Sequence, residues 1–247
     1  MILVFTDTHD DPEINQDRFS WLGEVIADKQ PDVIVQLGDF LSMGSLSRWD
    51  KDKRLKIEGR RYLRDMESGR SALGKIMRPV YDLQQRQRRL KKKTYDPTIY
   101  WFEGNHEYWI RQYTEYSPEM DGQICLQSDL GLPDSWNFVP YPDNICIQDI
   151  YFTHIPHTKG GALMSPYICQ RALEMFEGSV VFGHTHEFQL ATKTRFGGNQ
   201  YTALNAGCLF DETPDYAIGK QNNYWKGIFL IEPQDGSFDL QTIQWRS

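Results

Sequence analysis

No stretch of this 247-residue chain approaches the ~20 consecutive apolar residues that a bilayer-crossing helix needs. No membrane partner is therefore expected. Cysteine is sparse and scattered. Cys125, Cys146, Cys169 and Cys208 form no Cys-x-x-Cys pair, which argues against a disulfide framework or a thiolate zinc knuckle. A reducing cytoplasm is the default compartment for such a chain. A basic leader and a small-residue cleavage site are also lacking: Met1 to Thr6 reads as a first β-strand, not a signal peptide. Internal repeats and low-complexity tracts are absent. What remains is the composition of an ordinary globular protein, 40% hydrophobic and 25% charged, long enough for one large domain spanning residues 1–247.

Charge is present but segregated. Residues 51–93 hold 16 Lys or Arg against 5 Asp or Glu, while the rest of the chain holds 11 against 29. A basic module on an acidic body implies a polyanionic partner such as nucleic acid, or else a solvated helical hairpin or an oligomer interface. Residues 45–96 read as a helical insertion. Glu58–Met66 and Ser71–Leu90 are rich in good helix formers, and Pro79 is expected to break or kink them.

Around this insertion the pattern is strand, helix, strand. Residues 1–6 are apolar, residues 14–29 have helical spacing, and Asp32–Leu37 is a short buried strand. Thr98–Phe102 returns as a strand after the insertion. Asn144–Thr153 alternates, and Ser179–Phe182, Tyr201–Asn205, Gly227–Glu232 and Phe238–Trp245 are further strands between Gly, Pro and Asp turns. Polar residues at the ends of the first strands place chemistry at the C-terminal edge of a sheet in an α/β (α+β) protein.

Histidine is also scarce, with six in the chain, yet five of them lie at predicted strand ends. The clusters are Asp7-Thr8-His9, Gly38-Asp39, Gly104-Asn105-His106-Glu107 and Gly183-His184-Thr185-His186, with His154 after its own strand. In an extended exit from a strand, residues i and i+2 point the same way, so Asp7 with His9 and His184 with His186 can each converge. Singly, several of these are bland: Asp7-Thr8-His9 can be a turn with a helix cap, and His154 a structural histidine. Jointly they offer carboxylate, imidazole and amide oxygen, a set that suits a divalent ion such as Mn²⁺, Fe²⁺ or Zn²⁺. Seven candidates (Asp7, His9, Asp39, Asn105, His154, His184 and His186) are too many for one mononuclear site. They fit two metals about 4 Å apart, which can hold a bridging hydroxide and clamp a phosphoryl oxygen.

In order along the chain, these motifs resemble those of the calcineurin-like metallophosphoesterase family, over residues 1 to about 210. The resemblance implies a four-layer αββα sandwich, two mixed β-sheets face to face with helices outside. It implies one metal on Asp7, His9, Asp39 and His186, and another on Asp39, Asn105, His154 and His184, with Asp39 bridging. It makes His106 a phosphate contact or proton donor rather than a ligand, with Glu107 or Asp7 orienting it. The expected cofactors are two divalent ions, Mn²⁺ foremost, with Fe²⁺, Zn²⁺, Ni²⁺ or Mg²⁺ as alternatives. Catalysis would rest on Asp39 and His106.

The chain departs from the Gly-Asp-x-x-Asp-Arg-Gly of the family's protein phosphatases: residues 38–44 contain neither the second Asp nor the Arg. The insertion, the Asn205–Cys208 turn and the aromatic tail resemble a phage and prophage branch, which implies a bacterial or phage-infected cytoplasm. Phosphodiester hydrolysis on nucleic acid or nucleotides is the preferred expectation. A phosphomonoesterase and a non-catalytic metal-bound module are the alternatives. Arg48, Lys51, His157 and His106 are the candidate substrate contacts, with Trp49 a possible base contact or packing residue. The Lys159-Gly160-Gly161 run after His157 reads as a turn or a substrate-facing loop.

Overall fold

The computed structural model describes residues 1–47, 52–53, 58–211 and 223–246. Arg48, Trp49 and Lys51 lie outside these residues, so their expected contacts are not placed.

Two sheets face each other. The first has six strands: β1 (Ile2–Phe5), β2 (Val33–Gln36), β3 (Thr98–Phe102), β4 (Asn137–Val139), β12 (Gly227–Gln234) and β13 (Ser237–Gln244), in the order β13-β12-β1-β2-β3-β4. Strands β1 to β4 run parallel, while β12 and β13 are antiparallel additions. The second sheet contains β5 (Asn144–Ile147), β6 (Ile150–Thr153), β9 (Ser179–Phe182), β10 (Phe188–Thr194) and β11 (Gln200–Ala206), ordered β10-β11-β9-β6-β5. It too has a parallel centre (β6, β9, β11) and antiparallel edges. A small hairpin, β7 (His157–Thr158) with β8 (Gly161–Ala162), stands apart.

Period-two alternation divides the core into layers. Ile2, Val4, Val33, Val35, Phe102, Val181, Phe229 and Ile231 fill the space between the sheets. Their neighbours Leu3, Phe5, Ile34, Ile99, Trp101, Ile228 and Leu230 face helices α1 (Asp17–Lys29) and α2 (Tyr62–Arg89). On the far side, Val180, Phe182, Ala191 and Ala203 meet α5 (Ile168–Phe176). The result is the expected αββα sandwich. Shorter helices α3 (Tyr108–Tyr116) and α4 (Leu126–Leu130) follow β3.

Several expectations are corrected. The insertion contains one unbroken 28-residue helix, α2, not two pieces divided at Pro79. Pro79 cannot donate to the Lys75 carbonyl. That carbonyl and its neighbour on Ile76 lie against Gly23 of α1, where a Cβ would come within 2.4–3.0 Å of them. The helices thus pack closely where the proline leaves a carbonyl without its helical donor. Residues 144–153 form a hairpin rather than one strand, because Gln148 and Asp149 take positive φ (50° and 63°) and fold β5 back on β6. Strands β4 and β10 and helices α3 to α5 are elements beyond those expected from the sequence.

Candidate metal centre

Every candidate ligand follows a strand. Asp7 and His9 follow β1, Asp39 follows β2, Asn105 follows β3, His154 follows β6, and His184 and His186 follow β9. The parallel strands of both sheets therefore deliver their C-terminal ends to one place. The exits are not extended. Asp7, His9, Asp39, His184 and His186 all have positive φ, between 43° and 72°. Non-glycine residues pay of order 1–3 kcal/mol for such backbone, and it persists only where the surroundings enforce it. Here the backbone amides of Asp7 and His9 donate to the carbonyls of Gly38 and Asp39, at 3.1 and 3.0 Å. The His184 amide donates to Asp7 Oδ2 at 2.8 Å. So convergence of Asp7 with His9 comes from paired left-handed turns, not from a strand's period of two.

The glycines of the motifs explain themselves by crowding. A Cβ on Gly104 would lie 2.1 Å from Asp39 N and Oδ1, and one on Gly183 would lie 2.4 Å from Asp7 Oδ2. Glu107 braces the same loops. Its carboxylate accepts from the backbone amides of Asp39 (3.1 Å), Leu41 (2.7 Å) and Gly104 (2.9 Å). Burial, then the charge of Asp39, push it up to about 8.

Three overlapping groups result: Asp7 with His9 and His186; His9 with Asp39 and His106; Asp39 with His154 and His184. Within each, the potential ligand atoms lie within 4.8 Å of one another. In the first, His9 Nε2 is 3.1 Å from His186 Nε2, and Asp7 Oδ1 is 3.3 Å from His186 Nε2. In the last, Asn105 Oδ1 is 2.9 Å from His154 Nε2 and 2.7 Å from His184 Nδ1. Asp39 Oδ2 lies between the groups, 3.8 Å from His9 Nε2 and 3.4 Å from His154 Nε2.

These groups fit cations. Asp7 Oδ1 is buried with no hydrogen-bond donor. His154 Nδ1 donates to the Leu37 carbonyl at 2.7 Å, which leaves Nε2 to face two acceptor oxygens, Asn105 Oδ1 and Asp39 Oδ2. A proton or a metal ion must sit there. Burial alone would pull His154 down, but Asp39 outweighs it and pushes the imidazole up to about 9. Burial tends to raise Asp39 as well; His154 and His106 outweigh it and hold the carboxyl well below its usual range. Burial and His106 push His9 down to about 3, and burial and His154 push His184 down to about 4.

His106 sits beside both groups, with Nε2 3.9 Å from Asp39 Oδ2. Its Nδ1 donates to the Ser42 carbonyl at 2.8 Å, its face lies 4.2 Å from the Trp109 ring, and the edge of His9 approaches at 4.6 Å. The backbone of Ser42 therefore holds the ring, in place of the expected Glu107 or Asp7 side chain. His157 lies one contact further out. Its Nδ1 donates to the Ile155 carbonyl, and its Nε2 accepts from the Tyr141 hydroxyl at 2.9 Å. The Tyr141 ring in turn lies 6.1 Å from that of His154. The Gly160-Gly161 run closes the β7–β8 hairpin.

Sequence reading missed a second layer. Gln16 and Ser68 donate to the Asp10 carboxylate, and Arg60 makes two bonds to Asp11 at 2.7 and 2.6 Å. They tie the start of the insertion to the His9 loop. Phe210 and Tyr224 pack edge-on against His186, at 5.0 and 5.2 Å. Only the acidic pair beside His9 and the serine in the insertion were there to be noticed, and neither has a motif.

Among known proteins, the chain is 24% identical over 241 residues to the Gene 54 protein of Mycobacterium phage D29, covering 93% of this chain and 88% of that one. It is 25% identical over 217 residues to the Gene 54 protein of Mycobacterium phage L5, covering 83% and 78%. A solved structure aligns over 98% of both chains at 14% identity, with a TM-score of 0.36, too low to bear on the fold. The pattern of the calcineurin-like phosphoesterases matches residues 1–188, which hold all seven candidate ligands and His106. This chain belongs to the calcineurin-like phosphoesterase family.

Proposed function

We propose that the protein hydrolyses phosphodiesters of nucleic acid or nucleotides at a binuclear metal centre held by Asp7, His9, Asp39, Asn105, His154, His184 and His186. The observation that carries this is the convergence of those groups around Asp39, the carboxylate common to both ends of the cluster. A pair of divalent ions, with Mn²⁺ the first to try, supplies an activated water and the charge that draws in a phosphoryl group. The chain's own task is to fix the ligands and to serve the leaving oxygen. For the latter, the Ser42 carbonyl accepts the Nδ1 proton of His106 and turns Nε2 towards the centre, where a second proton, carried on Nε2, would pass to the leaving oxygen. The His106 side chain is 26% exposed, against 12%, 7% and 2% for His9, His186 and His154, so it fits the substrate side.

A diester is favoured over a monoester by charge. A monoester dianion calls for cationic side chains, yet among the described residues the arginines that flank the His9 loop, Arg60 and Arg18, are committed to Asp11 and Asp10. Phosphatase activity is the second reading. All four cysteines are unpaired, which suits a reducing cytoplasm, that of a bacterium or phage-infected host. Among the described residues no helix is long and apolar enough to cross a membrane.

The test compares bis-p-nitrophenyl phosphate with p-nitrophenyl phosphate in the presence of Mn²⁺. Preference for the first is expected, and the reverse preference overturns the diesterase reading. Silence on both, with metal bound, would favour a non-catalytic module. His106→Gln is expected to keep both metals and lower kcat about 10²–10⁴-fold, the scale of one general acid.

A further inference from the structure

The basic end of the insertion does not lie at the metal centre. The start of α2 is fixed at the metal edge, where Ser68 Oγ donates to Asp10 at 2.7 Å. Its last turn is fixed at the opposite edge. Gln87 bonds Gln30 and the Tyr95 amide, and the Tyr95 hydroxyl donates to the Pro31 carbonyl, beside the starts of β2 and β3. Arg86 comes eighteen residues after Ser68, roughly 27 Å along the helix axis at 1.5 Å per residue.

At that far end stand Arg86, Arg88, Arg89, Lys91, Lys92 and Lys93, all exposed. None makes an ion pair with a carboxylate among the described residues. Residues 86–93 contain no acid, and exposed Tyr81 and Leu90 flank the cations. The helix macrodipole offers about half a negative charge at a C-terminus, too little to balance six cations. The arginines add the planar donors that suit phosphate oxygens.

We infer that this end of α2 anchors the phosphate backbone of a nucleic acid outside the metal centre; that the polyanion is a nucleic acid rests on the function proposed above. Anchor and metal centre are then separate sites on one substrate. A duplex must exceed about 8 base pairs, at 3.4 Å each, to reach both. Longer substrates gain affinity from the anchor and shorter ones do not.

The test measures binding of a 20-base-pair duplex in EDTA across a salt series. Hydrolysis of bis-p-nitrophenyl phosphate and of a ladder of duplex lengths is followed in Mn²⁺. The variants are Lys91→Glu/Lys92→Glu/Lys93→Glu and, separately, Arg86→Gln/Arg88→Gln/Arg89→Gln, each checked for folding by circular dichroism. Wild-type affinity should fall with salt at a log–log slope of about −4 to −5, for some five neutralised phosphates. Each variant should bind at least tenfold more weakly, flatten the slope and erase the length dependence, while hydrolysing the small diester normally. Unchanged duplex binding in the variants overturns the anchor. So does a wild type that binds anionic vesicles, or a second copy of itself, through these residues but not duplex. If the wild type binds duplex through this end yet hydrolyses no phosphodiester, the anchor stands and the proposed activity falls.

Discussion

The two ends of the metal cluster are built by different means. At one end, His154 and Asn105 are held without left-handed backbone, and only His184 and the shared Asp39 adopt it. The Leu37 carbonyl orients His154, and Asn105 Oδ1 lies between His154 and His184. At the other end, Asp7, His9 and His186 all sit in left-handed backbone, and two imidazole nitrogens meet at 3.1 Å. That end is held by loop-to-loop backbone bonds and by the rings of Phe210 and Tyr224. One end thus carries a proton that a cation must displace. The other carries more of the left-handed backbone, at Asp7, His9 and His186, and an unsatisfied carboxylate oxygen that a cation would satisfy.

Asp39 is the group the two ends share, so its loss is the severest way to abolish the contrast. Asp39→Ala should empty both sites and lower kcat/KM at least about 10³-fold, given that metals contribute several kcal/mol to the transition state. Elemental analysis of the purified variant reads the metal content directly, and a variant with two tightly bound metals would disprove the bridge. Cutting the ends separately comes next. Asp7→Ala and Asn105→Ala should each retain about one metal per chain, the retained ion differing in its affinity between the two variants.

A smaller effect is expected from Glu107→Gln, which places an amide nitrogen against backbone donors now facing a carboxylate. Loss of outer-shell partners of this kind typically costs 10–100-fold in metal affinity. The ion held by Asp39 and His154 should be the more affected, because Glu107 binds the Asp39 and Gly104 amides. The mildest test is pH. His154, pushed up to about 9, must lose its proton to bind a metal, whereas His9, at about 3, is already neutral. Affinity at the His154 end should rise by up to tenfold per pH unit from pH 6 to about 9, then level off. The His9 imidazole should contribute no such rise over that range. Calorimetry in buffers of different ionisation enthalpy should detect release of about one proton, and zero release would refute the assignment.

The parallel strands and their ends were legible because β1, β2, β3 and β9 are short apolar runs with polar exits, whereas the two-sheet sandwich followed from the family resemblance. Such runs leave little choice but a buried parallel sheet. The ligand residues were legible from their types and spacing, and the structure brings all seven together. What was not legible depends on contacts remote in sequence. Glu107 was seen beside His106, but its work on the Asp39 loop needs the fold. The Ser42 carbonyl has no side-chain signature at all. Pro79 was expected to break or kink the insertion's helices, yet α2 runs through it without a break, with Gly23 of α1 packed against the carbonyl that lacks its helical donor. The place of the basic end is not legible from chain order alone: the insertion's second root precedes β3, and a full strand then separates that root from Asn105.

The position of β1 carries a consequence for how the centre is assembled. The strand that delivers Asp7 and His9 lies between β2 and β12, so one of its two neighbours is contributed by residues 227–234. The family pattern ends at residue 188, yet the first ligand loop borrows its support from beyond that limit. During synthesis on a ribosome, all seven candidate ligands emerge before β12, which completes the sheet that delivers four of them, Asp7, His9, Asp39 and Asn105. The nascent chain would hold Asp7 and His9 on an open edge strand, and that side of the centre would set only as the last strands close it.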